Sequence, residues 1–170
     1  MPPKVHTGHI QSGFTLVELI MVIVVLGIIS AYVVTRSSST ATATLASQSQ
    51  QMASDIRHAQ LLATTWGKSL SFSITAGANG SYSVSCVTAG AAPCNVSPVI
   101  DPATGAGFTR TLKNGVSLQV ASGTSPIVFN SLGQPGAAAS YTLTDNTNPD
   151  TIAVAALTGF VKVCPPSTCP

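Results

Sequence analysis

The sequence predicts an α+β protein in which one long N-terminal helix packs on an antiparallel β-sheet head. Three observations predict it. An apolar run from Phe14 to Val34 carries a single charge, Glu18. A stripe of apolar residues at helical spacing follows, from Leu45 to Trp66. From Ser69 the period falls to two, and short alternating segments are separated by Gly, Asn and Pro.

Residues 1–13, MPPKVHTGHIQSG, hold one Lys, two His and no apolar core. A secretory signal peptide carries its apolar stretch before the cleavage site. Here the stretch begins after Gly13, so a cut at that point leaves the apolar helix on the mature protein. From Phe14 to Val34 a helix would be roughly 31 Å long, close to the hydrocarbon thickness of a bilayer. Residues 14–35 therefore read as a transmembrane helix. Lys4 and Arg36 flank the run and nearly balance the positive-inside signal. The short leader and the large polar C-terminal part put the N-terminus in the cytoplasm.

Residues 36–66 read as the same helix continuing in amphipathic form. Leu45, Met52, Ile56, Ala59, Ala63 and Trp66 make the stripe, with Gln48, Gln51, Asp55 and His58 between them. Met52 and Trp66 are expected in the core, and Gly67 is placed to end the helix. The weak section is SSSTATAT at 37–44, low in helix propensity.

Residues 67–170 read as the β-rich head. SLSFSI (69–74) alternates Leu70, Phe72 and Ile74 with Ser, and SYSVSCV (81–87) alternates Tyr82, Val84 and Cys86. With AGANG between them they predict a β-hairpin. Residues 88–107 read as irregular. GVSLQV (115–120), PIVFN (126–130), SYTLTD (140–145), TIAVAAL (151–157) and GFVKV (159–163) read as further strands. Five to seven antiparallel strands against an amphipathic helix suffice to bury a core.

Composition excludes several functions. Only 7% of residues are charged and the net charge is +2, far from the clustered basic footprint of a nucleic-acid binder. Arg57, Arg110, Lys113 and Lys162 read as scattered solubilising charges. The head's acids, Asp55, Asp101, Asp145 and Asp150, share no motif, and the last three sit at turn positions. No GxSxG, phosphate-binding loop or HExxH occurs. The sequence predicts neither an enzyme nor a cofactor.

Cys86, Cys94, Cys164 and Cys169 all lie in the head, which the topology places in an oxidising compartment. Three connectivities are possible. The nearest-neighbour one, Cys86–Cys94 with Cys164–Cys169, closes two short loops, each stabilising by roughly 2–3 kcal/mol in the chain-entropy model. Neither spacing is CxxC and no His lies nearby, so no metal is expected.

Glu18 is the residue bilayer physics does not explain. A carboxylate deep in lipid costs on the order of 2.5–3.5 kcal/mol on insertion scales, and such groups pair or mark function. One reading is a plain signal-anchor that tolerates a Glu near the interface. The other is a docking carboxylate: a cut after Gly13 frees the Phe14 amine, which Glu18 of a neighbouring subunit could neutralise.

The string Gly13-Phe14-Thr15-Leu16-Val17-Glu18, with its short polar leader and apolar run, resembles the N-terminal signature of type IV pilins and type II secretion pseudopilins. The resemblance implies that a prepilin peptidase cuts after Gly13 and methylates Phe14, and that Glu18 docks subunits. It covers the first quarter of the chain. Many pilins have a helix-disrupting Pro soon after the apolar run, whereas SAYVVTRSSS here has none. The head's strings LKNGVSL, IVFNSLGQP and IAVAALTGFVKV are similar in order to the H-type pseudopilin and FimT-like minor-pilin group. Some FimT-like proteins bind DNA through basic residues after the final Gly. Here that segment is Gly159-Phe160-Val161-Lys162, with one cation, so DNA is not an expected partner.

The resemblance implies a structural subunit, a minor pilin or pseudopilin of a type IV pilus or type II secretion pseudopilus. It would sit in the bacterial inner membrane as a single-pass protein with its head in the periplasm. Its partners would be other pilin or pseudopilin subunits and the peptidase. The alternative is a pilus-tip binding module for DNA uptake or adhesion.

Overall fold

The computed structural model describes residues 15–164, with the side chains of residues 31–43 left aside. The chain divides into two units, residues 1–39 and 40–170. The described residues contain one helix, α1 (Leu16–Trp66), and nine strands.

In the first unit Thr15 caps α1. The Glu18 N–H donates to Thr15 Oγ1 at 3.3 Å, and the Leu19 N–H to the Thr15 carbonyl at 3.2 Å. The first satisfies one of the donors that a helix start leaves unpaired, and the second is the first regular bond of the helix. The apolar side chains from Leu16 to Ile29 are exposed all round the helix. Among the described residues no helix is long and apolar enough to cross a membrane; the expected span, residues 14–35, lies partly outside them.

In the second unit α1 buries Leu45, Met52, Ala53, Ile56, Ala59, Leu62 and Ala63. Trp66 is half-buried against this core. The helix ends on Gly67 at φ +60°. There the Gly67 N–H reaches the Thr64 carbonyl and the Lys68 N–H the Ala63 carbonyl, the paired closure of a Schellman motif.

Two antiparallel sheets form the rest. The first has the order β4 (Thr109–Thr111), β3 (Ser81–Cys86), β1 (Leu70–Thr75), β6 (Ile127–Phe129). The second has the order β2 (Gly77–Ala78), β5 (Ser117–Ser122), β7 (Ala139–Thr144), β8 (Pro149–Val154), β9 (Val161–Cys164). The expected single sheet is thus two. β3 and β6 occupy both edges of β1, so β5 pairs with β7 instead. The sheets meet through side chains: the Phe72 and Tyr141 rings lie 6.2 Å apart in the shared core.

Residues 88–107 are more ordered than their composition predicts. Val99 and Phe108 are fully buried and exchange backbone hydrogen bonds with Val84. The β4 strand follows and has no apolar alternation to announce it, since Thr-Arg-Thr presents only half-buried Arg110 between exposed threonines.

Candidate functional site

Gly13 and Phe14 lie outside the described residues. Glu18 stands in the first turn of α1 with its side chain exposed. Thr15-Leu16-Val17-Glu18 has the S/T-x-x-E spacing of a capping box, and the Thr15 half of that box is formed. An acid in a first turn also favours the helix dipole. Thr15 and Glu18 thus both favour the start of α1, a feature the reading of the sequence missed although the spacing announced it.

The head brings together residues that the sequence keeps apart. Asp55 is not on a solvated face: it is buried, between Ala53 and Ile56 of the core arc. It accepts the Tyr82 hydroxyl at 2.7 Å and the Gln51 amide at 3.0 Å. Arg110 is no scattered surface charge either. Its Nη2 lies 3.0 Å from Asp101 Oδ2, and its Nε 3.8 Å from Asp55 Oδ2. His58 Nδ1 lies 3.9 Å from Asp101 Oδ1, and both His58 and Arg110 pack on the Phe108 ring. Helix, β3, β4 and the 99–108 segment are thus locked by one partly buried charge cluster.

Burial pushes the Asp101 carboxyl up, but the Ala103 N–H, the Thr104 hydroxyl, His58 and Arg110 outweigh it and hold the group below its ordinary value. The Tyr82 phenol is raised far above its usual range, first by burial, then by the Asp55 charge and their hydrogen bond, against the pull of Arg110.

Beside this cluster α1 and the 110–114 segment enclose a groove of about 420 Å³. Its wall is mainly apolar and includes Leu112 and Tyr82, with Arg110 and Lys113 as its charged members. Gln48 fixes the far side: its Oε1 accepts the Lys113 N–H at 2.7 Å, and its Nε2 donates to the Lys113 carbonyl at 3.2 Å.

Cys86 and Cys94 form a disulfide with Cα atoms 5.5 Å apart. Cys164 ends β9, and Cys169 lies outside the described residues. Among the described residues no group of three or more His, Cys, Asp or Glu could hold a metal ion.

Residues 9–34 match the family model described as the prokaryotic N-terminal methylation motif. Among solved structures the chain is similar to the type IV minor pilin FimU of Pseudomonas aeruginosa. The TM-score is 0.56 at 12% identity, covering 74% of this chain and 92% of that one. It is also similar to the minor pseudopilin EpsH from the Type 2 Secretion System of Vibrio cholerae. There the TM-score is 0.52 at 12% identity, covering 72% of this chain and 98% of that one. No curated protein matches the chain. The chain thus joins the N-terminal methylation motif to a fold like those of FimU and EpsH.

Proposed function

We propose, from a chain that joins the N-terminal methylation motif to a pilin fold, that it is a non-catalytic subunit of a type IV pilus or type II secretion pseudopilus. The observation that carries the reading is the start of α1. The matched motif, residues 9–34, contains Glu18 and runs into a helix whose described apolar side chains, Leu16 to Ile29, are exposed on every side. Such a surface needs either lipid or the helices of neighbouring subunits. Before assembly the protein sits in the inner membrane with its head outside the cytoplasm.

Processing follows from the motif. A peptidase cuts after Gly13 and the mature chain begins with N-methylated Phe14. Glu18 then neutralises the Phe14 amine of a neighbour, an ion pair whose partners are costly to leave alone in low dielectric. Intact-mass measurement of filament material tests the first step, and assembled protein that still begins at Met1 sinks it. For the second step, Glu18→Ala and Thr15→Ala are compared for incorporation beside wild type. Docking predicts that only Glu18→Ala fails. Equal loss in both variants means that the helix cap, not docking, is what matters.

The pilus-tip reading has one observation in its favour, Phe160 standing 66% exposed beside the exposed Lys162. Retention of labelled DNA by the full-length protein at physiological salt tests it, and the salt dependence distinguishes phosphate contacts from stacking.

A further inference from the structure

Of the asparagines in the chain, only Asn79 and Asn114 precede a glycine. An Asn–Gly pair can change covalently without an enzyme. The glycine nitrogen gives up its proton and bonds to the asparagine Cγ, and the side-chain nitrogen leaves as ammonia. Water then opens the cyclic imide at one of its two carbonyls. Water is consumed, ammonia is released and nothing is oxidised or reduced. The product is aspartate or, where the main chain now runs through the former side chain, isoaspartate. Glycine suits the step because no Cβ obstructs the approach of its nitrogen.

The fold treats the two pairs differently. Gly80 is buried; its N–H donates to the Gly77 carbonyl at 3.1 Å and its carbonyl accepts the Leu112 N–H at 2.8 Å. A Cβ added there would meet Leu118 Cβ at 2.6 Å and the Thr75 carbonyl oxygen at 2.8 Å. A ring closing on the Gly80 nitrogen has no room. Asn114 and Gly115 are both exposed, and a Cβ added at Gly115 would meet nothing within 4 Å. They form the centre of the 113–116 turn, with φ of +58° and +74° and the Val116 N–H donating to the Lys113 carbonyl at 3.3 Å. Positive φ at both central residues is the type I′ geometry.

Asn79 restrains this turn from across the head. Its Oδ1 accepts the Gly115 N–H at 2.9 Å, and its own N–H donates to the Val116 carbonyl at 3.0 Å. The proton that must leave before Gly115 can attack Asn114 is therefore the one that Asn79 binds.

We infer that Asn114 is a site of spontaneous deamidation whose rate is set by the Asn79 side chain, and that Asn79 itself is inert in the folded head. The position of the product gives it a consequence. Asn114 lines the groove with Arg110 and Lys113, so the new carboxylate forms beside cations. In the isoaspartyl product the main chain gains a methylene next to Lys113, whose N–H and carbonyl are both clasped by Gln48. Ageing protein thus acquires a negative charge on the groove edge and a longer turn pulling on α1.

The test incubates the full-length protein in detergent at mildly alkaline pH. Peptides containing positions 79 and 114 are followed by mass spectrometry, and labelling by isoaspartyl methyltransferase identifies the isoaspartyl form. In the folded protein conversion is expected at Asn114 and not at Asn79; in urea both pairs should convert at similar rates. Asn79→Gly removes the acceptor and accepts a positive φ, and should speed conversion at Asn114 about fivefold, the worth of one hydrogen bond expressed as a rate. Asn79→Asp keeps an acceptor oxygen and should convert at Asn114 close to the wild-type rate. Trp66 fluorescence checks that each variant is folded, and the comparison of the two sites in folded and unfolded wild type needs no variant. Conversion at Asn79 as fast as at Asn114 in the folded protein overturns the inference. So does an unchanged rate in folded Asn79→Gly, equal acceleration in the Gly and Asp variants, or no conversion at Asn114 in any folded form.

Discussion

Replacing Asp55 by Ala should destabilise the head by about 2–4 kcal/mol. The figure is built from the partners the carboxylate leaves behind. The Tyr82 hydroxyl, 2.7 Å away on a ring only 2% exposed, loses its acceptor; a buried donor left unsatisfied costs about 1–3 kcal/mol. Arg110 loses the weaker of its two carboxylates, at 3.8 Å, and keeps Asp101 at 3.0 Å. Because that guanidinium is about one third exposed, solvent limits this part to about 1 kcal/mol or less. Trp66, the sole tryptophan, packs half-buried against the core and reports head unfolding by fluorescence. With a urea slope of about 2 kcal/mol per molar, the midpoint should fall by roughly 1–2 M. Adding Tyr82→Phe should recover part of the loss, since the orphaned hydroxyl goes with it, and the cycle should show coupling of about 1.5–3 kcal/mol. A midpoint within 0.2 M of wild type (about 0.4 kcal/mol at that slope), or strictly additive single effects, refutes the view that Asp55 is a buried anchor.

The Asp101 carboxyl is held below its ordinary value, so the stability it supplies is present above about pH 4 and is lost as pH falls through the folded value. The unfolding midpoint of wild type should drop over that acid range, and Asp101→Asn should flatten the drop. Tyr141 is buried, its hydroxyl has no hydrogen-bond partner among the described residues, and burial pushes that hydroxyl up to about 12. Tyr141→Phe should leave the urea midpoint unchanged or raise stability by up to about 1 kcal/mol; a loss above that means a partner exists in solution. Gly159 sits at φ +68° with an added Cβ meeting the Gln60 amide at 2.5 Å, so Gly159→Ala should cost about 2 kcal/mol by the same assay. Removing Cys86–Cys94, which closes a short loop of sequence separation 8, should cost about 2.5 kcal/mol in the chain-entropy model, read as the difference between the midpoints of wild type and the Cys86→Ala, Cys94→Ala double variant without reductant.

What could be read from the chain alone was local. Apolar spacing placed Leu45, Met52, Ile56, Ala59 and Ala63 on one buried arc, and alternation located β1 and β3 within a residue or so. Gly67 announced the helix end by its type and position. Several misses were pairings between distant segments. Asp55 fell between the stripe residues, and nothing nearby in sequence shows Tyr82 and Arg110 closing over it. β4 was missed because three residues with a charged centre carry no period. The split into two sheets depends on β6 finding β1, a choice of register that local pattern does not contain. The groove was equally invisible, since Gln48 and Lys113 meet only after the head has folded. At the N-terminus the motif was plain, but the capping geometry within it came from the structure.

The Gln60 amide, which donates to the Gly133 carbonyl at 2.8 Å and to the Thr158 carbonyl at 2.9 Å, also constrains how such a sequence can change over time. A Cβ at Gly133 would meet Thr64 Cγ2 at 2.8 Å and Gln60 Cγ at 3.2 Å, and one at Gly159 would meet Gln60 Nε2 at 2.5 Å. Each glycine is thus fitted to the long side chain beside it, and that side chain is fitted to the two carbonyls it binds. A lineage that exchanges Gly159 first collides with the amide, and one that exchanges Gly133 first collides with the Thr64 methyl and the Gln60 stem. One that shortens Gln60 first leaves the Gly133 and Thr158 carbonyls without their shared donor, and the positive φ of +74° and +68° still disfavours a side chain at either glycine. Both glycines are therefore held twice, by backbone conformation and by their neighbours, whereas position 60 is held by the two carbonyls it binds.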